Sequence, residues 1–323
     1  MLALSLPISA DSASPFRSVV SFGDSLSDTG NLYANSEGTF PPTPYYQGRA
    51  SDGLLWNEYL ASDLGSELLM EDNYAYFGAM SDHRNFNEGA LPFPLFGLSQ
   101  QIDQYLSDRP ETRIHPRTLV ILGIGSNDFF DFLEKGGDFP IPNGIDNTVA
   151  ALQRLVAAGA RHFLVLNIPE LSKTPAFSGQ SDAAKAQISF LCAHYNAILD
   201  QALQAVSDAA GVHITIVDAF AVINEIVANP GQYGISNTAF PAIAGFDPNA
   251  SLFWDLVHPT TIGHRILADF ALQALVDHYV SPNGQPFESN PFHSPAAISK
   301  YKTPKRIETR CEAFGSRSAF RYC

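Results

Sequence analysis

Apolar positions along this chain follow two alternating rhythms. Short β-branched and aliphatic runs at about Ser18–Gly23, 66–70, Thr118–Gly123, 162–167 and 213–218, bounded by Gly, Asn and Asp, have the length and composition of covered strands. Longer stretches between them repeat apolar residues at steps of three and four, which predicts helices at about 54–64, 145–158, Asp182–Ala210 and 260–279. In the third of these, Ala184, Ile188, Leu191, Tyr195, Ile198, Ala202 and Val206 line up as one face. Strands alternating with crossover helices call for an α/β fold around a mostly parallel sheet of about five strands. No segment repeats, and no apolar run is long enough to span a bilayer.

Composition agrees with one compact body. A chain of 323 residues, 45% hydrophobic and 16% charged, buries a large core without staples. Its formal net charge of −14 argues against a nucleic-acid partner, because phosphates are repelled. That charge is uneven: residues 281–323 carry seven Lys/Arg against three Asp/Glu, a net +4, which leaves −18 on the first 280. The division expected is a leader remnant or loose terminus at 1–15, a main domain at 16–280 and a basic extension at 281–323, opened by the linker-like Ser281-Pro282-Asn283-Gly284. Cys192 falls on the apolar side of its helix and reads as inert, whereas Cys311 and Cys323 would close a small loop if the protein is exported.

Candidate chemistry begins where the first strand ends. Gly23-Asp24-Ser25-Leu26-Ser27-Asp28-Thr29-Gly30-Asn31 reads as a tight exit that exposes a serine hydroxyl near unpaired backbone amides. Alone, such a run is most often just a capped turn. What changes the reading is its company further along the chain. Asp255 and His258 lie three residues apart before an apolar-periodic helix, with Pro259 placed for its first position, so the carboxylate reaches the imidazole and leaves one nitrogen free to take a proton. Gly125-Ser126-Asn127-Asp128 and Tyr76-Phe77-Gly78 follow strand-like runs, which puts them on the edge where open parallel sheets bind ligands. A metal reading of Asp255, His258 and His264 fails on spacing, because six residues place the two imidazoles on different helix faces; His264 reads as a satisfied side chain behind the site or on the surface, and no metal or cofactor is expected. Aromatic and proline-rich segments at 40–46, 91–96, 129–139 and Phe240-Pro241 are read as loops beside the same edge, able to line an acyl or choline-sized pocket.

In order and in wording these blocks resemble the GDSL, or SGNH-hydrolase, family of serine esterases and lipases over about residues 16–280. The resemblance implies a three-layer α/β/α sandwich of the flavodoxin-like kind. It implies Ser25 as nucleophile, His258 as general base and then acid, Asp255 as the orienting carboxylate, and an oxyanion hole from the Ser25 and Gly78 amides and the Asn127 side chain. Family members often carry two glycines where this chain has Phe77-Gly78, so Phe77 is expected as a wall of the acyl pocket, with Asp128, Phe129 and Trp254 as further lining. The long opening motif, followed by Gly48-Arg49-Ala50-Ser51-Asp52-Gly53 and Trp56-Asn57-Glu58, is similar to the branch with bacterial phospholipases, lipid acyltransferases and cholinesterase-like enzymes. Expected from this are hydrolysis of a small-molecule or lipid ester, no cofactor, transient contact with a lipid surface, a monomer, and a secreted or periplasmic location. Transfer of the acyl group to a lipid or sugar, deacetylation of polysaccharide, and an inactive binding descendant are the alternatives left open.

Overall fold

The computed structural model of the protein describes residues 16–110, 113–135 and 141–279. Expectations for residues 1–15, for the extension at 281–323 and for a Cys311–Cys323 bond lie outside the described residues. In chain order the elements are β1 (Ser18–Gly23), α1 (Asn31–Asn35), α2 (Trp56–Asp63), α3 (Leu98–Asp108), β2 (Thr118–Gly123), α4 (Ser126–Lys135), α5 (Ile141–Ala157), β3 (His162–Leu166), α6 (Asp182–Ala210), β4 (His213–Val217), α7 (Ala219–Ala228) and α8 (Thr261–Tyr279).

The four strands form one parallel sheet in the order β1-β2-β3-β4, with Val19 opposite Leu119, Leu119 opposite His162 and His162 opposite His213. Successive side chains point to opposite faces, and both faces are apolar and covered. Val20, Phe22, Val120, Leu122, Phe163 and Val165 pack with Ile102 of α3, Leu152 and Leu155 of α5 and Tyr195 and Leu199 of α6. Val19, Leu119, Ile121, Leu164, Leu166 and Val217 pack with Trp56 and Leu60 of α2, Val222 and Ile226 of α7 and Leu267 and Leu275 of α8. The three-layer α/β/α architecture is therefore present. Local signals set the helix ends: Ser181 Oγ accepts from the Ala184 amide at 3.2 Å to start α6, and Gly211, left-handed at φ 61°, ends it.

Several elements differ from the sequence reading. The run 66–70 is not a strand, since Leu69 and Met70 are 42% and 46% exposed and a short turn of 3-10 helix begins at Met70. Beside β1, in the place of a fifth strand, runs the segment after it, where Tyr74 N donates to Ser21 O and Tyr76 N to Gly23 O. Asn31 Nδ2 donates to both Asn73 O and Ala75 O, so side-chain capping replaces further pairing there. Residues 129–135 of the expected 129–139 loop region are helical as part of α4, and α3 and α7 are helices that the periodicity reading passed over. Pro259 precedes α8 and pairs with Phe253 in an antiparallel bridge instead of opening the helix.

The carboxyl ends of β1 and β2 meet at Gly23 and Gly123, which are register partners. A Cβ on Gly23, whose φ is 150°, would lie 2.4 Å from Gly123 O. Gln101 of α3 completes the junction, its Oε1 accepting from Gly23 N at 2.9 Å and its Nε2 donating to Gly23 O at 2.8 Å. Gly23→Ala is expected to lower unfolding stability by about 2 kcal/mol or more, because strand separation and backbone strain add. Gly231→Ala, whose Cβ would meet open space, is expected to stay within about 0.5 kcal/mol in the same urea titration. Equal midpoints for the two variants would refute the tight contact at Gly23.

Candidate active site

The chain leaves β1 through a turn and enters the short α1 only at Asn31, so Ser25 stands in the turn rather than at a helix start. Asp24 O accepts from the amides of Ser27 at 3.0 Å and Asp28 at 3.1 Å, and Asp24 Oδ1 accepts from the Leu26 amide at 3.0 Å. These bonds fix the backbone on both sides of Ser25.

His258 arrives on a loop closed on itself by Trp254 N donating to His258 O at 2.8 Å and Thr260 N donating to Leu252 O at 2.9 Å. Within it, Asp255 Oδ1 accepts from the amides of Val257 at 2.9 Å and His258 at 2.8 Å. The other oxygen, Oδ2, is 2.7 Å from His258 Nδ1, and His258 Nε2 is 2.8 Å from Ser25 Oγ. Burial pushes the Asp255 carboxyl up, but the neighbouring His258 charge and the hydrogen bonds from His258 and Val257 outweigh it and hold the group below the usual range. An ionised carboxylate only accepts, so Nδ1 carries the imidazole proton and Nε2 accepts from the Ser25 hydroxyl. Tyr45 OH donates to Asp255 Oδ2 at 2.8 Å, across 210 positions of sequence. The 40–46 loop was legible as a neighbour of the site, but no local signal gave Tyr45 this bond.

Gly78 is left-handed at φ 76°, and a Cβ there would lie 2.4 Å from Asn87 Nδ2 and 2.5 Å from Asn85 Oδ1. Glycine is thus required by both conformation and space. Its loop is held by Asp28 Oδ2 accepting from Phe77 N at 2.8 Å, by Asn85 Nδ2 donating to Phe77 O at 2.8 Å, and by Asn127 Nδ2 donating to Ala79 O at 2.9 Å. Among the described residues nothing accepts from the backbone amides of Ser25 and Gly78.

A narrow apolar pocket, with a cavity volume of about 50 Å³, starts beside Ser25 and His258. Asp24, Ser25, Asn127 and His258 supply its polar end, and Leu171, Val222, Ile226, Leu252, Phe253 and Leu267 line the seam that continues between α7 and α8. The four expected wall residues lie elsewhere. Phe77 packs against Phe40 and the His258 ring, with centroids 5.5 and 5.4 Å away. Phe129 is core, edge-on to Tyr195. Asp128 accepts from Ser81 N at 3.0 Å and Ser81 Oγ at 2.7 Å, and Trp254 stands edge-on to Tyr45. Val222, Ile226 and Leu267, which line this pocket, look in the sequence like any other core positions.

His264 is neither satisfied nor at the surface. It is fully buried with no partner for either ring nitrogen among the described residues, and burial together with the His258 charge pushes it down to about 3, which keeps it neutral. No group of three His, Cys, Asp or Glu among the described residues is arranged to hold a metal ion. Nor is any described helix long and apolar enough to cross a membrane. Cys192 is buried and its thiol is pushed up to about 12, so it stays protonated.

A sequence model of the family described as GDSL-like Lipase/Acylhydrolase matches residues 19–271. The thermolabile hemolysin of Vibrio parahaemolyticus is 28% identical over 279 residues, which cover 79% of this chain and 63% of the hemolysin. Phosphatidylcholine-sterol acyltransferase of Aeromonas hydrophila is 26% identical over 323 residues, covering 84% of this chain and 93% of the acyltransferase. The secreted effector protein SseJ of Salmonella typhimurium is 28% identical over 284 residues, covering 81% of this chain and 64% of the effector. This chain thus spans less than two thirds of the hemolysin and of the effector.

Two buried carboxyls near the site, Asp24 and Asp128, make stability depend on pH. Burial pushes Asp24 up to about 6 and Asp128 up to about 6, against the hydrogen bonds that Leu26 and Ser81 donate to them. An unfolded chain ionises these groups near the ordinary carboxylate value of about 4, so the native state holds protons that the unfolded state has released. The stability these two groups contribute is therefore lost as pH rises from about 4 to about 6, while the buried neutral His264 contributes with the opposite sign. The urea midpoint of Asp128→Asn is expected to rise relative to that of the unsubstituted protein as pH goes from about 4 to about 6. A difference between the two midpoints that stays constant across this range would exclude Asp128 as a source.

Proposed function

Because this chain belongs to the GDSL-like lipase/acylhydrolase family, we propose that it hydrolyses carboxylic esters through a covalent acyl-serine formed on Ser25. The observation that carries the reading is the row Asp255–His258–Ser25, bonded at 2.7 and 2.8 Å and ending at the mouth of an apolar pocket. Ser25 Oγ attacks the ester carbonyl carbon while His258 Nε2 takes its proton, and Asp255 stabilises the imidazolium through Nδ1–H. The developing oxyanion is met by the free amides of Ser25 and Gly78 and by the Asn127 amide group. Collapse of the tetrahedral species releases the alcohol, which takes the proton back from His258. Water, deprotonated by the same nitrogen, then attacks the acyl carbon and frees the acid and Ser25.

Hydrocarbon lining of this pocket favours an apolar acyl group, and similarity to an enzyme named for phosphatidylcholine supports a lipid ester as the substrate. Similarity to an enzyme named for acyl transfer to a sterol supports a second fate for the same intermediate, attack by an alcohol in place of water. Similarity to a protein named as secreted supports action outside the cytoplasm.

Turnover of p-nitrophenyl esters from acetyl to palmitoyl tests the chemistry, with a sterol present to capture any acyl transfer. Ser25→Ala is expected to abolish it, and Asn127→Ala to lower turnover roughly a hundred- to a thousand-fold with the fold intact. Undiminished turnover in Ser25→Ala would end the acyl-serine reading. Chain length is tested separately by Val222→Phe, which narrows the seam away from the reacting groups. Palmitoyl turnover is expected to drop about tenfold or more with acetyl turnover kept; equal losses on both esters would show that the acyl chain lies elsewhere.

A further inference from the structure

The loop between α7 and α8 carries an exposed apolar tip that ester cleavage does not use. Phe240 and Phe246 stack face to face, with ring centroids 5.2 Å apart and planes 6° from parallel, yet remain 55% and 43% exposed. The tip is preformed. Asn237 Nδ2 donates to Phe240 O at 2.8 Å and to Ser251 Oγ at 2.9 Å, and Phe246 N donates to Ala242 O at 3.0 Å. It is also tied to the loop that presents the candidate active site, through Ala242 N donating to Phe253 O and Ile243 N to Trp254 O, both at 2.9 Å. Phe253 lines the apolar pocket itself, and Asp255 follows Trp254 directly.

Charge identifies the surface that such a tip fits. From Ser236 to Phe246 no residue is charged, while residues 1–280 carry a net −18. An anionic lipid surface repels that body, whereas a zwitterionic one sets no such barrier to a charge-free aromatic tip leaving water. We propose that Phe240 and Phe246 insert into the headgroup boundary of zwitterionic lipid and hold the pocket mouth against it, so that an acyl ester passes to Ser25 without crossing water. The proposal rests on the ester-hydrolase reading for its purpose, although the docking itself needs no turnover. Two rings give weak, reversible attachment suited to moving between substrate molecules.

Co-sedimentation of the full chain with phosphatidylcholine vesicles tests it, using Ser25→Ala protein so that binding is read without hydrolysis. Replacing both rings, Phe240→Ser with Phe246→Ser, is expected to weaken vesicle partition roughly tenfold. Both side chains face solvent, so the otherwise unsubstituted double variant is expected to keep its turnover of soluble p-nitrophenyl acetate while losing turnover of vesicle phosphatidylcholine. Partition unchanged by the double substitution would overturn the proposal, as would a double substitution that weakens binding to phosphatidylglycerol vesicles more than to phosphatidylcholine vesicles. Vesicle binding lost with the rings, alongside no ester turnover by any variant, would uphold the docking tip and remove the hydrolase reading instead.

Discussion

A single buried carboxylate holds the site's loops to one another. Asp28 accepts from four backbone amides: Oδ1 from Gly30 at 2.8 Å and Asn31 at 2.6 Å, Oδ2 from Leu32 at 3.2 Å and Phe77 at 2.8 Å. Burial pushes its carboxyl up and the four donors oppose that. The first three bonds secure the entry to α1, and the fourth reaches across to the loop carrying Gly78. The turn around Ser25 and the loop of Gly78 are thereby held at a set separation. Leaving a buried amide donor without its acceptor costs about 1–3 kcal/mol, so the geometry rests on a strong constraint.

The sheet explains why these loops meet at all. Strands β1 to β4 run in sequence order, and the segment 73–76 lies on the far side of β1. The chain therefore reverses its direction of travel across the sheet at β1. In open parallel sheets that reversal opens a crevice at the carboxyl ends of the strands. Ser25 leaves β1 there, Asn127 follows β2, and Gly78 follows the segment on the other side. His258 comes from neither strand but from a loop fastened between α7 and α8 by its own backbone bonds. Helices α7 and α8 both rest on the face packed with Trp56, which is why the apolar seam continues from the imidazole into that half of the core.

How much of this was legible in the sequence follows from the range of each interaction. Strands Ser18–Gly23 and Thr118–Gly123 and the helix Asp182–Ala210 were readable to the residue, because continuous burial or a long single-faced stripe speaks locally. Asp255 and His258 were legible as a pair because three residues separate them. The run 66–70 misled, since Leu69 and Met70 face water while Asn73, Tyr74 and Tyr76 after it do the pairing. Helix α4 was hidden by aromatics that read as a loop, and α7 by being apolar over most of its length, where periodicity has little to resolve. Tyr45 on Asp255, Asp28 on Phe77 and Gln101 on Gly23 are long-range bonds between ordinary polar residues, and nothing nearby in the chain announces them.

The placement of the aromatics gives the molecule a built-in optical property. Of the chain's two tryptophans, Trp56 donates its indole N–H to Ser27 Oγ at 3.2 Å, two residues from Ser25, and Trp254 stands edge-on to Tyr45 beside Asp255. Both indoles thus flank the row Asp255–His258–Ser25, one behind the turn of Ser25 and one beside the carboxylate. The protein's tryptophan emission, excited beyond the tyrosine band, is in effect a spectroscopic window onto this cleft.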